Sequence, residues 1–247
     1  MVDIFFVLAV VALVVCLAMT TKFRDAVISS YLYKRGFALH MSVFSHIHNR
    51  AVLNKKKELF STMKTTMDSI PGDILEIGSG TGANFSFFPK GSTVIALDPN
   101  PHMEKYLKQN ASEFPNVTIK KVITGFAEDL SDIEDNSLAI VVCTLTLCSV
   151  QDVASVLQEV KRVLKPGGRL FYVEHVSDSD GKWRHTFQKF LDRVWMYLSD
   201  GCSCARDIPT YLDNAGYSCV SYEKFSADQL TIFAWLMRPH IVGYAIK

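Results

Sequence analysis

The chain has 247 residues, 26 of them lysine or arginine and 25 aspartate or glutamate, for a formal net charge of +1. That length holds one catalytic α/β domain of roughly 200 residues plus a leader, and so even a charge balance excludes the basic field on which nucleic-acid binding depends. Its six cysteines, Cys16, Cys143, Cys148, Cys202, Cys204 and Cys219, lack the spacing of a secreted disulfide framework and fit a reducing compartment.

Mean hydropathy is slightly positive, high for a soluble enzyme, and much of the excess lies in residues 4–19. This run is almost wholly apolar between Asp3 and the basic Lys22, Arg24, Lys34 and Arg35. About 16 residues make roughly 24 Å of helix, a little short of the ~30 Å hydrocarbon core, and Thr20, Thr21 and Phe23 can lengthen it. The reading is a membrane anchor over 1–22, with the basic flank and everything after it in the cytosol. A cleaved signal peptide competes, because small residues surround Cys16-Leu17-Ala18, but no basic residue precedes the run.

Residues 23–69 follow as a connector in which Tyr31, Tyr33, Phe37 and Phe44 alternate with Lys34, Arg35, His40, His46, His48 and Arg50. Such a mixture suits either the membrane interface or a helical lid, and the helix over 55–60 is assigned to the lid. The three histidines lack cysteine pairs or a His-Glu-x-x-His pattern, so no metal site is expected.

The main domain is placed at 70–247. At Asp73-Ile74-Leu75-Glu76-Ile77-Gly78-Ser79-Gly80-Thr81-Gly82 an apolar strand runs into a glycine-rich turn. Gly78, Gly80 and Gly82 let a ligand lie against main-chain amides, with Ser79 between them. The spacing is G-x-G-x-G, not the G-x-G-x-x-G of dinucleotide enzymes. Glu76 would repel a pyrophosphate but attract the ammonium of an amino-acid moiety. The next strand, 93–97, ends in Asp98, about 20 residues beyond the turn, where a carboxylate can accept both ribose hydroxyls; capping a helix that starts near Pro99 is its alternative use. A third strand over 117–123 leads to Gly125-Phe126-Ala127-Glu128, where Phe126 and Ala127 offer apolar contact to adenine and Glu128 can meet its polar edge.

A fourth strand, 138–143, is continuously apolar, as expected between two helical layers, and ends at Thr144. A helix over 152–164 stops at Lys165-Pro166-Gly167-Gly168 before a fifth strand, 169–174. His175 at its end is the candidate general base, with Thr144 and Cys148 shaping the acceptor pocket; a satisfied polar strand end is the alternative. Residues 183–197, with Phe187, Phe190, Leu191, Val194 and Trp195 at helical intervals, read as an amphipathic helix over the acceptor site. Cys202-Ser203-Cys204 lacks the two-residue spacer of metal pairs and is assigned to loop packing. A helix over 211–215 ends at Gly216, and strands over 219–225 and 241–246 add an antiparallel pair. The apolar insert 230–237 between them is a membrane-interface element, an acceptor channel or a buried helix.

The Glu76-x-Gly78-x-Gly80-x-Gly82 loop, the Asp98 strand end and Leu164-Lys165-Pro166-Gly167-Gly168 together resemble the class I S-adenosylmethionine-dependent methyltransferases. The finer pattern of Gly80-Thr81-Gly82-Ala83-Asn84-Phe85, Asp98-Pro99-Asn100-Pro101, Val142-Cys143-Thr144-Leu145 and Arg238-Pro239-His240-Ile241 is similar to the methyltransferase-like seven group. The resemblance implies a Rossmann-like α/β fold, a seven-stranded sheet with helices on both faces. It also implies S-adenosylmethionine as cofactor, with Pro99, Cys143 and Thr144 among its contacts. The activity implied is S-methylation of small lipophilic alkyl thiols at the endoplasmic reticulum and lipid droplets, with membrane lipids met through the N-terminal segment and no nucleic acid involved. Ser79 departs from the cysteine of many relatives, though a small residue keeps the turn. Methyl transfer from a sulfonium needs alignment and exclusion of water more than acid-base machinery, and a thiol is already partly ionised at neutral pH. A lipid, quinone or other O/N acceptor, and a non-catalytic droplet scaffold, are the competing readings.

Overall fold

A strand buried on both faces must be apolar along its whole length, and the central strands obey this. In the computed structural model, which describes residues 21–247, the strands are β1 (Ile74–Ile77), β2 (Ser92–Asp98), β3 (Val117–Thr124), β4 (Leu138–Thr144), β5 (Leu164–His175), β6 (Cys219–Ser226) and β7 (Pro239–Ile246). They form one seven-stranded sheet in the order β3-β2-β1-β4-β5-β7-β6. The first five run parallel, and β7 lies antiparallel between β5 and β6. All of β1 and the first six residues of β4 are buried. The chain reverses between β1 and β4, so a crevice opens at their carboxyl ends, the usual ligand position in such sheets.

Helices cover both faces. On one, α6 (Val153–Val163) presents Val153, Val156, Leu157, Val160 and Val163 at helical spacing, and α8 (Ile208–Asn214) adds Ile208 and Leu212. Asp152 starts α6 by accepting the Ala154 and Ser155 amides. On the other face the glycine turn leads only into a 3-10 turn, Phe85–Phe87. The space is filled by Leu59 and Phe60 of α3 (Leu53–Ser61) and Met63 of α4 (Met63–Ser69), packed with Phe85 and Phe88, while α5 (Met103–Ala111) contributes Leu107. The turn expected before the fifth strand is absorbed into β5. Leu138 pairs with Leu164 but Ile140 with Arg169, so the extra residues around Pro166, which has no amide hydrogen for the ladder, bulge out.

The connector forms α1 (Thr21–Ile28) and α2 (Tyr31–Ala51), and α2 lies across the carboxyl edge of the sheet. Tyr33 donates its hydroxyl to the Tyr197 carbonyl at 2.7 Å and accepts the Asp200 amide at 2.9 Å, while Lys34 pairs with Asp200 at 2.8 Å. Asn100 Nδ2 donates to the Lys34 carbonyl at 2.8 Å, and Asn49 Nδ2 to the Ala83 carbonyl at 2.7 Å. Helix α7 (Trp183–Leu198) meets expectation in extent but turns most of its apolar stripe outward: Trp183, Phe187, Phe190, Val194 and Leu198 are exposed, Phe190 at 81%, while Leu191 is part-buried and Trp195 packs against the core. Its buried anchor is Gln188, which donates to the Val176 and Leu236 carbonyls and accepts the Asp178 amide. Within the apolar insert a 3-10 segment, Ile232–Met237, buries Ala234, Leu236 and Met237. The apolar run 4–19 lies outside the described residues, among which no helix is long and apolar enough to cross a membrane.

Gly243 shows how tightly the antiparallel edge is closed. It sits opposite Tyr172 and Tyr222 in β7, and a methyl there would overlap the Ser221 carbonyl oxygen and lie 2.8 Å from Tyr222 Cα. Backbone cannot step aside as a flexible side chain can. Gly243→Ala is therefore expected to cost about 2–3 kcal/mol, read as a lowered midpoint in denaturant unfolding; an unchanged midpoint would show that β6 can part from β7.

Candidate active site

A cavity of about 460 Å³ occupies the crevice beneath α1 and α2. Of the residues singled out from sequence, Glu76, Gly78, Ser79, Gly80, Asp98, Pro99, Phe126, Ala127, Glu128 and Thr144 line it. Strand ends and one tight turn bring them together. Gly78 has φ +63°, and a side chain there would collide with Thr146; at Gly80 a side chain would meet nothing closer than the Gly78 carbonyl oxygen at 3.9 Å. The turn thus keeps main chain, and no side chain, against the ligand space.

Asp98 holds the turn to the end of β2. Its Oδ2 accepts the Gly80 amide at 2.9 Å and its Oδ1 the Asn100 amide at 2.8 Å. Each oxygen retains acceptor capacity for a diol. It does not cap the following helix, which begins only at Met103. Burial, the largest effect, pushes its carboxyl up to about 6, against the two amides that favour the charged form.

Glu76 is buried at the end of β1. Its Oε1 accepts Asn84 Nδ2 at 2.7 Å, while its Oε2 has no hydrogen-bond partner. The opposite charge comes from α3. Lys56 is 1% exposed and donates Nζ to Asn84 Oδ1 at 2.7 Å and to Asn49 Oδ1 at 2.6 Å. Burial raises Glu76 to about 7 and lowers Lys56 to about 7, and their mutual attraction opposes both shifts. Glu128 Oε1 accepts the Gln151 and Asp152 amides at 2.7 and 3.3 Å, and its Oε2 is buried without a partner. Two carboxylate oxygens of the cavity residues are thus left for a ligand's donors, which fits the ammonium and amino groups of S-adenosylmethionine.

Three expected residues do not line the cavity. Gly82 has a structural task, since the Phe85 ring occupies the space of a side chain there. Cys143 points beneath the strand end, its thiol donating to Glu174 Oε1 at 3.2 Å. His175 is fully buried at the end of β5, with Nε2 2.9 Å from Cys202 Sγ. Pairing of His175 with His240 in the β5–β7 ladder directs it into the domain, away from an acceptor. Cys148 is likewise buried.

Sequence reasoning missed Lys56, Asn49, Asn84 and His48, all of which line the cavity. A signal for Lys56 existed, because it falls three, four and seven residues before Leu59, Phe60 and Met63, on the buried stripe. His48 had none, because its partner is distant in sequence. The carbonyl of Arg238 can only accept, so His240 donates to it through Nδ1 at 3.0 Å. The Nε2 of His240 is then left to accept from His48 Nε2 at 3.1 Å. Burial lowers His48 well below the usual histidine range and His240 to about 3, which keeps both rings neutral. This tautomer leaves a lone pair on Nδ1 of His48.

Residues 75–172 match a family model described as a methyltransferase domain. The chain is 42% identical to human thiol S-methyltransferase TMT1B over 87% of its length and 88% of that protein. It is 37% identical to human thiol S-methyltransferase TMT1A over 88% of each. An S-adenosylmethionine-dependent methyltransferase from Thermotoga maritima, 17% identical, shares the fold with a TM-score of 0.53 over 84% of this chain and 98% of its own.

Two buried carboxylates with raised values make ligand capture pH-dependent. Protonating Glu76 removes the charge that would hold an ammonium, and protonating Asp98 removes an acceptor for a ribose hydroxyl. Affinity for S-adenosylmethionine, measured by titration calorimetry, is expected to weaken as pH falls through 6, where Asp98 is protonated, by up to about tenfold per unit, whereas near 7 the loss of charge on Glu76 is opposed by protonation of Lys56, which would hold the ligand carboxylate. Constant affinity from about pH 7 to about 5 would dismiss Asp98 as an anchor.

Proposed function

The chain belongs to the thiol S-methyltransferase family of S-adenosylmethionine-dependent methyltransferases, and on that footing we propose that it methylates the sulfur of small lipophilic thiols at a membrane surface. The observation that carries the reading is 42% identity across 87% of the chain to a protein named for that reaction. The cavity supports it, since Ile28, Phe37, Met41, Leu145, Val150 and Met196 line it beside the polar floor and suit an apolar acceptor.

When bound, S-adenosylmethionine supplies an electrophilic methyl on a positively charged sulfur. Glu76 Oε2 would hold its ammonium and Lys56 its carboxylate, so the two buried charges would find opposite partners. Asp98 would hold the ribose hydroxyls, Phe126 and Ala127 the adenine face, and Glu128 Oε2 the adenine amino group. The roof of α1 and α2 excludes water and holds the acceptor in line. His48 would accept the thiol hydrogen at its Nδ1 lone pair and pass the proton on as the new S–C bond forms. Burial and the neighbouring His240 and Lys56 oppose a lasting imidazolium, so the proton released with the S–H bond would leave the site.

A membrane location is supported by two exposed apolar stripes on helices that meet at the Tyr33–Tyr197 contact: Leu32, Leu39, Val43 and Ile47 on α2, and Trp183, Phe187, Phe190, Val194 and Leu198 on α7. Stripes of this extent mark interaction sites. The apolar residues 4–19 and the basic Lys22, Lys34 and Arg35 after them fit an anchor on the endoplasmic reticulum or lipid droplets, with the domain on the cytosolic side.

Detergent-solubilised full chain with labelled S-adenosylmethionine is expected to convert small alkyl thiols to thioethers and to leave quinone and amine acceptors unmethylated; transfer to those acceptors but not to sulfur would overturn the choice of acceptor. His48→Gln should lower turnover of weakly acidic alkyl thiols by about 10²-fold and leave acidic aryl thiols, already ionised, within a few-fold. Equal losses for both classes would remove His48 from proton transfer.

In vesicles of acyl-brominated phosphatidylcholine, fluorescence of the reconstituted chain should be quenched, and Trp183→Phe should remove the quenched component. Unquenched Trp183 would leave that face in water.

A further inference from the structure

Cys148, His175 and Cys202 come from three separate segments: the loop after β4, the last residue of β5, and the turn after α7. Their ligand atoms, two sulfurs and an imidazole nitrogen, all lie within 4.8 Å of one another, with His175 Nε2 2.9 Å from Cys202 Sγ. All three residues are buried, at 1%, 0% and 5% exposure. The cysteines are free thiols.

Backbone hydrogen bonds fix these segments to each other. The Ser203 amide donates to the Cys148 carbonyl at 2.9 Å, the Val176 amide to the Pro239 carbonyl at 2.9 Å, and the Ser177 amide to the Arg206 carbonyl at 3.0 Å. Arg206 Nη1 in turn donates to the Leu147 and Val150 carbonyls at 2.8 and 2.6 Å. A convergence held by main chain does not have to be assembled by a ligand. It also differs from ordinary core packing, because the only other hydrogen-bonding nitrogen of His175, Nδ1, is buried with no partner.

We propose that Cys148 Sγ, His175 Nε2 and Cys202 Sγ bind one thiophilic divalent cation, zinc, next to the cavity. Two thiolates and one imidazole are the borderline-soft set that zinc selects over magnesium or calcium, and three protein ligands leave a fourth tetrahedral position for water or another small ligand. Binding releases two thiol protons to solvent, and the two thiolates balance the dication, so the buried site is neutral. A small outward movement of Cys202 Sγ from His175 Nε2 opens the normal spacing between two ligands of one tetrahedral ion. Ser149 and Gly201, each one residue from a ligand, line the cavity. The ion therefore sits just behind that wall, and its presence is independent of which acceptor the enzyme methylates.

The test uses the metal alone. Full-length protein in detergent, reduced without added thiol and stripped with chelator, is titrated with cobalt(II). The expected result is one equivalent bound with a thiolate-to-cobalt absorption band and the intense visible bands of a tetrahedral site, all abolished by zinc. Cys148→Ser and Cys202→Ser should each diminish the thiolate band, and X-ray absorption of zinc-loaded wild type should show two sulfur ligands and at least one nitrogen, which needs no variant to fold. Absence of sulfur ligation in the wild type, or an unchanged thiolate band in the doubly substituted protein, would overturn the site whatever the outcome with thiol acceptors.

Discussion

Burying Glu76 beneath a glycine turn obliges the fold to bring a cation to it. An isolated carboxylate in such a place is costly, and the sheet itself offers none; the compensating charge is Lys56, from a helix that precedes the first strand, relayed through Asn84. Asn84 therefore acts on both sides, giving its carbonyl to the lysine and its amide to the glutamate. Helix α3 must pack for Lys56 to arrive, and Leu59 and Phe60 bury it against the sheet. Because α2 runs directly into α3, the roof over the cavity is placed by the same contacts. The N-terminal helices are thus part of the site's electrostatics as well as its cover.

Such an arrangement leaves both buried charges incompletely met. Glu76 retains an oxygen with no partner, and Lys56 is held near the point of losing its proton. A zwitterionic ligand end would relieve both at once, offering an ammonium to one and a carboxylate to the other. Selection of that ligand over a pyrophosphate follows from the sign of the charge at the end of β1, because a second anion beside Glu76 would deepen the penalty. Asp98 works differently. Its oxygens are already tied to Gly80 and Asn100, so its task is to hold the turn's shape while keeping acceptors free.

The parallel sheet and its glycine turn were legible because their causes are local. Continuous apolarity marks β4, a glycine spacing marks the turn, and Asp98 stands at a fixed distance beyond it. Even the antiparallel β6–β7 pair could be read from the strand-like runs that follow the glycine stop at Gly216. Side chains that meet only through tertiary packing were not legible. His175 and His48 are both histidines near apolar residues, and nothing in sequence distance says that the first turns inward to Cys202 while the second reaches the cavity and finds His240. Cys202 looked like half of an incomplete pair with Cys204, whereas its neighbours are Cys148 and His175. The Pro166 turn was readable as an interruption, but its absorption as a bulge within β5 depended on the partner strand.

Helix α7 carries a different lesson about amphipathicity. Periodic aromatic residues ordinarily identify the face a helix buries, and on α7 that inference largely reverses: the polar Gln188 is the anchor, Trp195 packs against the core, and Trp183, Phe187 and Phe190 face out. Gln188 succeeds because α7 packs against two carbonyl groups, those of Val176 and Leu236, which an apolar side chain would leave unpaired. The aromatics are consequently free to serve a second apolar phase. On α2, Ser45, His48 and Asn49 face the cavity beside Phe37 and Met41, while Leu39, Val43 and Ile47 are exposed. Exposed apolar side chains on two adjoining helices form the kind of patch that marks an interaction surface. In the proposed function, the polar requirement of the cofactor site and the apolar requirement of the membrane are then satisfied by opposite faces of one helix, so a lipophilic acceptor meets the roof of the active site before it meets water.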